Sequence, residues 1–219
     1  MSIIIGGDLA PTETNSALFE EAKIEELIDK KLLHVLEESD YRIFNLETPL
    51  SNQKKPILKE GRNLIASERC INGLVEMKCN LLSMANNHIL DQGKEGLHST
   101  MRLLKENGIF FVGAGQDLKD AQKPFYFRIK GKLYGVYACT EHEFSLALEN
   151  RSGANPFDPL ESFEHIATMS QNCDFVIVLY HGGKEHYRYP SPSLQRVCRE
   201  MIEKGANLVV CQHSHCIGC

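Results

Sequence analysis

Six residues of this chain carry the donor types that hold divalent metal ions: Asp8, Glu47, Asn87, His181, His213 and His215. Carboxylate, amide and imidazole donors without sulfur suit Mn²⁺, Fe²⁺ or Zn²⁺, and three imidazoles make Mg²⁺ a poorer match. Six protein donors exceed what one tetrahedral zinc requires, whereas two adjacent ions sharing a carboxylate would use them all. Such a pair, ~3.5–4 Å apart, clamps the attacking and leaving oxygens of an in-line displacement at phosphorus. It also lowers the pKa of bound water, so that hydroxide is available near neutral pH. A leaving alkoxide needs a proton, and His88, next to Asn87, is the natural general acid. Asp91, three residues on, would hold that imidazole in the correct tautomer. Asn45, beside Glu47, and Glu185, His186 and Arg188, shortly after His181, are the candidates for contacting substrate. For the last three a solvated loop, or packing around Tyr187 and Tyr189, accounts equally well for the pattern.

The elements that must position these residues are legible as six apolar or β-branched runs, at 3–5, 42–46, 81–84, 110–112, 175–180 and 208–211. Helical spacing fills 18–36, 95–107 and 194–204, and Gly108 and Gly205 stand as stops after the last two. Strands alternating with helices predict an α/β layer fold. The segments 125–129 and 133–138, around Lys130-Gly131-Lys132, predict a β-hairpin and hence a mixed sheet. No repeat or flexible linker interrupts the chain, so a single domain over 1–219 is expected. Five of the runs deliver Asp, Glu, Asn or His at their carboxyl ends, where ligands of open α/β sheets gather. Any one such residue is ordinarily a cap or a turn. Five together point to a shared site.

The chain has 219 residues, 24 Lys+Arg and 29 Asp+Glu, for a formal net charge of −5. Hydrophobic residues make up 42% and charged residues 24%, which excludes a mostly disordered chain. The mildly acidic balance argues against a nucleic-acid partner. No apolar run approaches the ~18–20 residues that span a bilayer, and the start lacks a positive n-region, so a cytoplasmic protein without a membrane segment is expected. The eight cysteines are read as reduced thiols; Cys216-Ile217-Gly218-Cys219 is a weak zinc or redox signal without a second pair. His34, His98, His142 and His165 follow no ligand pattern, and Gly113-Ala114-Gly115 reads as a turn rather than a dinucleotide fingerprint.

The order Gly7-Asp8, Asn45-Leu46-Glu47, Asn87-His88, His181-Gly182-Gly183 and His213-Ser214-His215 resembles the calcineurin-like metallophosphoesterase superfamily. Within it, the stretches NLETPLS from Asn45, ANNHILDQGKEGLHSTMRLLKENGIFFVGAG from Ala85 and HGGKEHYRYPSPSLQRVCREMIEKGANLVVCQHSH from His181 are most similar to the CapA-type branch, named for poly-γ-glutamate capsule synthesis. The resemblance implies a four-layer α/β/β/α sandwich with two divalent ions. It makes Asp8 and His215 ligands of the first ion, Glu47 the bridge, and Asn87, His181 and His213 ligands of the second. His88 becomes the acid that also contacts phosphate. Two departures bear on this carry-over. Ala10 stands where the superfamily usually has a ligand histidine, so the first ion is expected to bind weakly, and Glu47 replaces a bridging aspartate. The implied function is a metal-dependent phosphoesterase-like hydrolase acting on a phosphorylated or anionic small molecule or polymer precursor. The alternative is an accessory protein in making or exporting an anionic capsule polymer (poly-γ-glutamate or polysaccharide), with little or no turnover. In the family fold further strands follow the last histidine motif. With His215 four residues from the end, the expectation is a truncated sheet or an exposed edge covered by another chain, such as a homo-oligomer.

Overall fold

A computed structural model describes residues 2–218. The fold is α/β, as the alternation of strands and helices predicts. The chain forms two compact units: one runs up to Met84 and includes His88–Phe111, and the other comprises Ala85–Asn87 and continues from Val112.

The first unit is built on a sheet in the order β1 (Ile3–Leu9), β2 (Tyr41–Leu46), β3 (Leu81–Ser83), β4 (Phe110–Val112). β1, β2 and β3 run parallel. The register of β1 against β2 shifts between Ile5 and Asp8, over Gly6-Gly7, and resumes with Asp8 opposite Asn45. A bulge there re-aims the residue that follows it. The segment 18–36 is not one continuous helix. It forms α1 (Ser16–Glu20), a 3₁₀ turn (Ile24–Glu26) and α2 (Lys30–Glu38). The break falls at Ala22, which takes φ +57°, a left-handed conformation incompatible with a continuing right-handed helix. α2 then restarts with Asp29 accepting a hydrogen bond from the Lys31 backbone N–H at 2.9 Å. α3 (Ile71–Glu76) and α4 (Gly93–Glu106) complete the unit. Leu97, Met101 and Leu104 are buried at helical spacing on α4, and Gly108 follows it at φ +70°.

In the second unit the principal sheet has the order β10 (Leu208–Gln212), β9 (Phe175–His181), β7 (Lys132–Thr140), β6 (Phe125–Ile129). β10, β9 and β7 are parallel and β6 is antiparallel, so the predicted hairpin and mixed sheet are both present. A small antiparallel pair, β5 (Ala114–Gly115) with β8 (Gly153–Ala154), and the short α5 (Leu118–Ala121) precede α6 (Pro159–Ser170) and α7 (Pro192–Glu203). β9 is buried along nearly its whole length, which is why it reads as an unbroken apolar run. Its Val176, Val178 and Tyr180 pack with Ile166 and Met169 of α6 and Leu194 and Met201 of α7. By the two-residue period of a strand, His181 therefore belongs to the opposite face. α6 has a legible start, with Asp158 accepting from the Leu160 N–H at 2.8 Å and proline in the first turn. Its apolar stripe is blurred by Leu160, which is 84% exposed. Among the described residues no helix is long and apolar enough to cross a membrane. The Cys216–Cys219 motif includes Cys219, which lies outside the described residues.

Candidate metal centre

Each unit gathers its candidate residues at the carboxyl ends of its parallel strands. In the first, Asn45 closes β2 and donates from Nδ2 to Asp8 Oδ1 at 2.8 Å, the contact that the resumed register makes possible. Glu47 follows β2 directly and is buried, as is Asn45. His88 Nδ1 lies 2.6 Å from Asp91 Oδ2. Asp91 is wholly buried, accepts from the Leu64 backbone N–H at 2.6 Å on Oδ2, and pairs through Oδ1 with Lys59 Nζ at 2.5 Å. Lys59 Nζ also stands 3.2 Å from His88 Nδ1, with its side chain only 3% exposed. Lys59 went unmarked by motif reasoning. It sits in a polar loop with Lys54 and Lys55, and nothing in the spacing separates a buried lysine from solvated ones.

In the second unit, His181 is the last residue of β9 and His213 the first after β10, with Gln212 opposite His181 in the register. His181 Nε2 lies 3.1 Å from Asn87 Oδ1 and 3.1 Å from His213 Nδ1, and all three residues are buried. Asn87 is held from behind: the adjacent Asn86 carbonyl accepts from Ser145 Oγ at 2.6 Å. The His181 carbonyl accepts from Thr140 Oγ1 at 3.0 Å. His215 is exposed, its ring 6.0 Å from that of His213 and 6.0 Å from that of His186. Glu185 Oε1 lies 3.8 Å from His213 Nε2. His186, His213 and His215 take φ of +60°, +90° and +51°. Bulky side chains avoid this region, and such strain clusters where a site dictates the backbone. Arg188 is exposed and lines a cavity beside β10 together with Lys184 and Arg199. Of the histidines outside the motifs, His34 pairs with Glu38 at 3.3 Å and His165 Nδ1 meets the Tyr137 hydroxyl at 3.3 Å, both consistent with surface or packing roles.

The chemistry of the donor set matches a divalent cation. Three electron-pair donors (two imidazole nitrogens and an amide oxygen) converge with His181 Nε2 at their centre. A single proton between them can serve only one contact at full strength, whereas a cation is bound by all three. With metal–nitrogen distances of ~2.0–2.1 Å, tetrahedral ligand nitrogens stand roughly 3.3 Å apart, close to the observed separation.

Comparison with known proteins agrees with this architecture. The chain is 30% identical over 189 residues to "Capsule biosynthesis protein CapA" of Bacillus anthracis, covering 82% of this chain and 46% of that protein. It is likewise 30% identical over 182 residues to "PGA biosynthesis protein CapA" of Bacillus subtilis (strain 168), covering 81% of this chain and 48% of that one. The chain thus spans about half the length of these two relatives. A solved structure described as a novel phosphatase from Mycoplasma pneumoniae superposes with a TM-score of 0.55 at 15% identity, over 97% of this chain and 64% of the other. That likeness shows that the two chains share an α/β fold. Since residues 2–218 match the model of the family "Bacterial capsule synthesis protein PGA_cap", the chain belongs to that family.

Proposed function

We propose that this chain is a metal-dependent, phosphoesterase-like hydrolase working in bacterial capsule synthesis on a phosphorylated or otherwise anionic substrate. The observation that carries this reading is the convergence of His181 Nε2, His213 Nδ1 and Asn87 Oδ1 at 3.1 Å. By the motif order of the family resemblance, Asn87, His181 and His213 would hold one ion and Asp8 and His215 the other, with Glu47 as a ligand that both would share. When bound, the ions supply Lewis-acid activation of water and charge neutralisation at phosphorus.

The remaining roles belong to side chains of this chain. Asn45 orients the Asp8 carboxylate through its 2.8 Å hydrogen bond. The 2.6 Å contact supports a tautomer with the His88 Nδ1 proton directed at Asp91, in which Nε2 would deliver a proton to the leaving oxygen. Lys59 pairs with buried Asp91 and offsets its charge beside the imidazole. Glu185, His186 and Arg188 lie on the exposed segment after β9 and present polar groups to substrate.

One observation favours the second reading, a capsule-synthesis accessory protein with little turnover. Ala10 occupies the position of a superfamily ligand, which weakens the first ion and with it the two-ion clamp. Metal analysis and turnover of a nitrophenyl phosphodiester and monoester, with and without added Mn²⁺, separate the two. Metal-dependent turnover supports the hydrolase; bound metal without turnover supports the accessory role. His181→Ala and His213→Ala are each expected to remove metal. Retention of wild-type metal content by both, with fold intact by circular dichroism, overturns the centre itself.

A further inference from the structure

The cavity beside β10, about 530 Å³, is lined by residues of the segment after β9, of α7 and of β10, and Cys198 and Cys211 are both among them. Their sulfurs are 3.5 Å apart, one carried by the helix and the other by the strand it covers. Cys198 is half-buried and Cys211 exposed, so the pair faces a space that small solutes enter. Neither thiol has a part in the hydrolytic chemistry proposed above. Cys139 is different: it is fully buried among the packed side chains of the same sheet.

We propose that Cys198 and Cys211 are a peroxide-reactive thiol pair that closes into a reversible disulfide joining α7 to β10. A disulfide needs a sulfur separation of about 2.05 Å, so closure asks for an approach of roughly 1.5 Å, within the reach of side-chain rotation and a small shift of the helix. The hydrogen bond from the Cys211 thiol holds the Cys198 thiol below its ordinary pKa, which makes Cys198 the nucleophile. Its thiolate attacks one oxygen of hydrogen peroxide. The O–O bond breaks, hydroxide leaves and takes a proton, and Cys198 becomes a sulfenic acid. The Cys211 sulfur then attacks the Cys198 sulfur. The S–S bond forms, the S–O bond breaks, and the Cys211 proton leaves with the hydroxyl as water. Two thiols and one peroxide thus give one disulfide and two waters. Cys211 lies two residues before His213, so the bond ties down the strand that leads into the histidine motif.

The test is oxidation of the full chain with a slight excess of hydrogen peroxide, followed by alkylation, intact mass and peptide mapping. The expected result is a loss of about 2 Da, a single Cys198–Cys211 linkage, and full reversal by dithiothreitol. Linkage of either residue to Cys139, Cys216 or Cys219, or oxygen addition at separate thiols without a linkage, overturns the proposal. In folded Cys211→Ser, a dimedone adduct on Cys198 is expected; its absence overturns the assigned order of attack. The wild-type mapping decides the pairing even if that variant fails to fold.

Discussion

His88 and Asp91 show how much of a catalytic role three residues of spacing convey. The carboxylate reaches the ring across one turn, 2.6 Å from Nδ1, and its wholly buried setting keeps water from competing for the contact. A general acid matters most when the leaving oxygen is a poor one, because an alkoxide must be protonated as it departs. His88→Ala is therefore expected to slow hydrolysis of an alkyl phosphoester by about 10²–10⁴-fold. For an activated nitrophenyl ester the loss should be much smaller. Steady-state rates on the two substrate types check this, and equal losses on both would remove His88 from the role. Motif spacing exposed this pair but not Lys59. Its importance lies in burial against Asp91, a property of how the loop folds back and not of its neighbours in sequence.

At the scale of elements, the strand ends were readable because the ligand candidates cluster at or shortly after the ends of apolar runs, and His181 and His213 stand where β9 and β10 stop. The helices were less readable. The interruption at Ala22 depends on a positive φ that alanine has no intrinsic reason to adopt, so tertiary packing overrode local preference there. Gly113 illustrates the reverse case, in which a turn residue is also a packing residue. It follows β4 at φ +82°, and a Cβ there would stand 2.7 Å from Ala85 Cβ and 2.8 Å from Ala138 Cβ. Gly113→Ala is expected to destabilise by about 2–4 kcal/mol, from left-handed strain plus overpacking. Gly131, in the β6–β7 hairpin, has the same φ but open space around it, so Gly131→Ala is expected to cost only about 1 kcal/mol. Urea unfolding of the two variants checks the difference, and equal costs would show that the contacts around Gly113 give way freely.

For the molecule as a whole, the cysteines provide a built-in report on cooperativity. Burial pushes the Cys70 thiol up to about 11 and that of Cys79 up to about 12, and raises Cys139 as well. At pH 8 a thiol with a pKa near 11 is thiolate on the order of one part in a thousand, so these three should resist alkylation in the native protein while half-buried Cys198, held below its ordinary pKa by the Cys211 thiol, reacts. Cys70 and Cys79 belong to the first compact unit and Cys139 to the second. If the chain unfolds as the single domain its sequence suggests, all three become reactive at one urea concentration. Pulsed alkylation across a urea series reads this directly. Separate midpoints would identify two independently folding units.

Fold class, strand order along the chain and most of the candidate site were carried by local pattern. Apolar runs bounded by Asp, Asn and His mark strand ends wherever they occur, because burial of a strand and exposure of its carboxyl end are both written into neighbouring residues. Only the folded chain decided that His181 Nε2 is the meeting point of Asn87 and His213, that Lys59 is buried against Asp91, and that Cys198 and Cys211 face one another. These contacts join residues separated by 94, 32, 32 and 13 positions. Hydrophobic pattern says which residues go inside, but which of them meet depends on register, helix rotation and loop path, and those are set by packing across the whole unit.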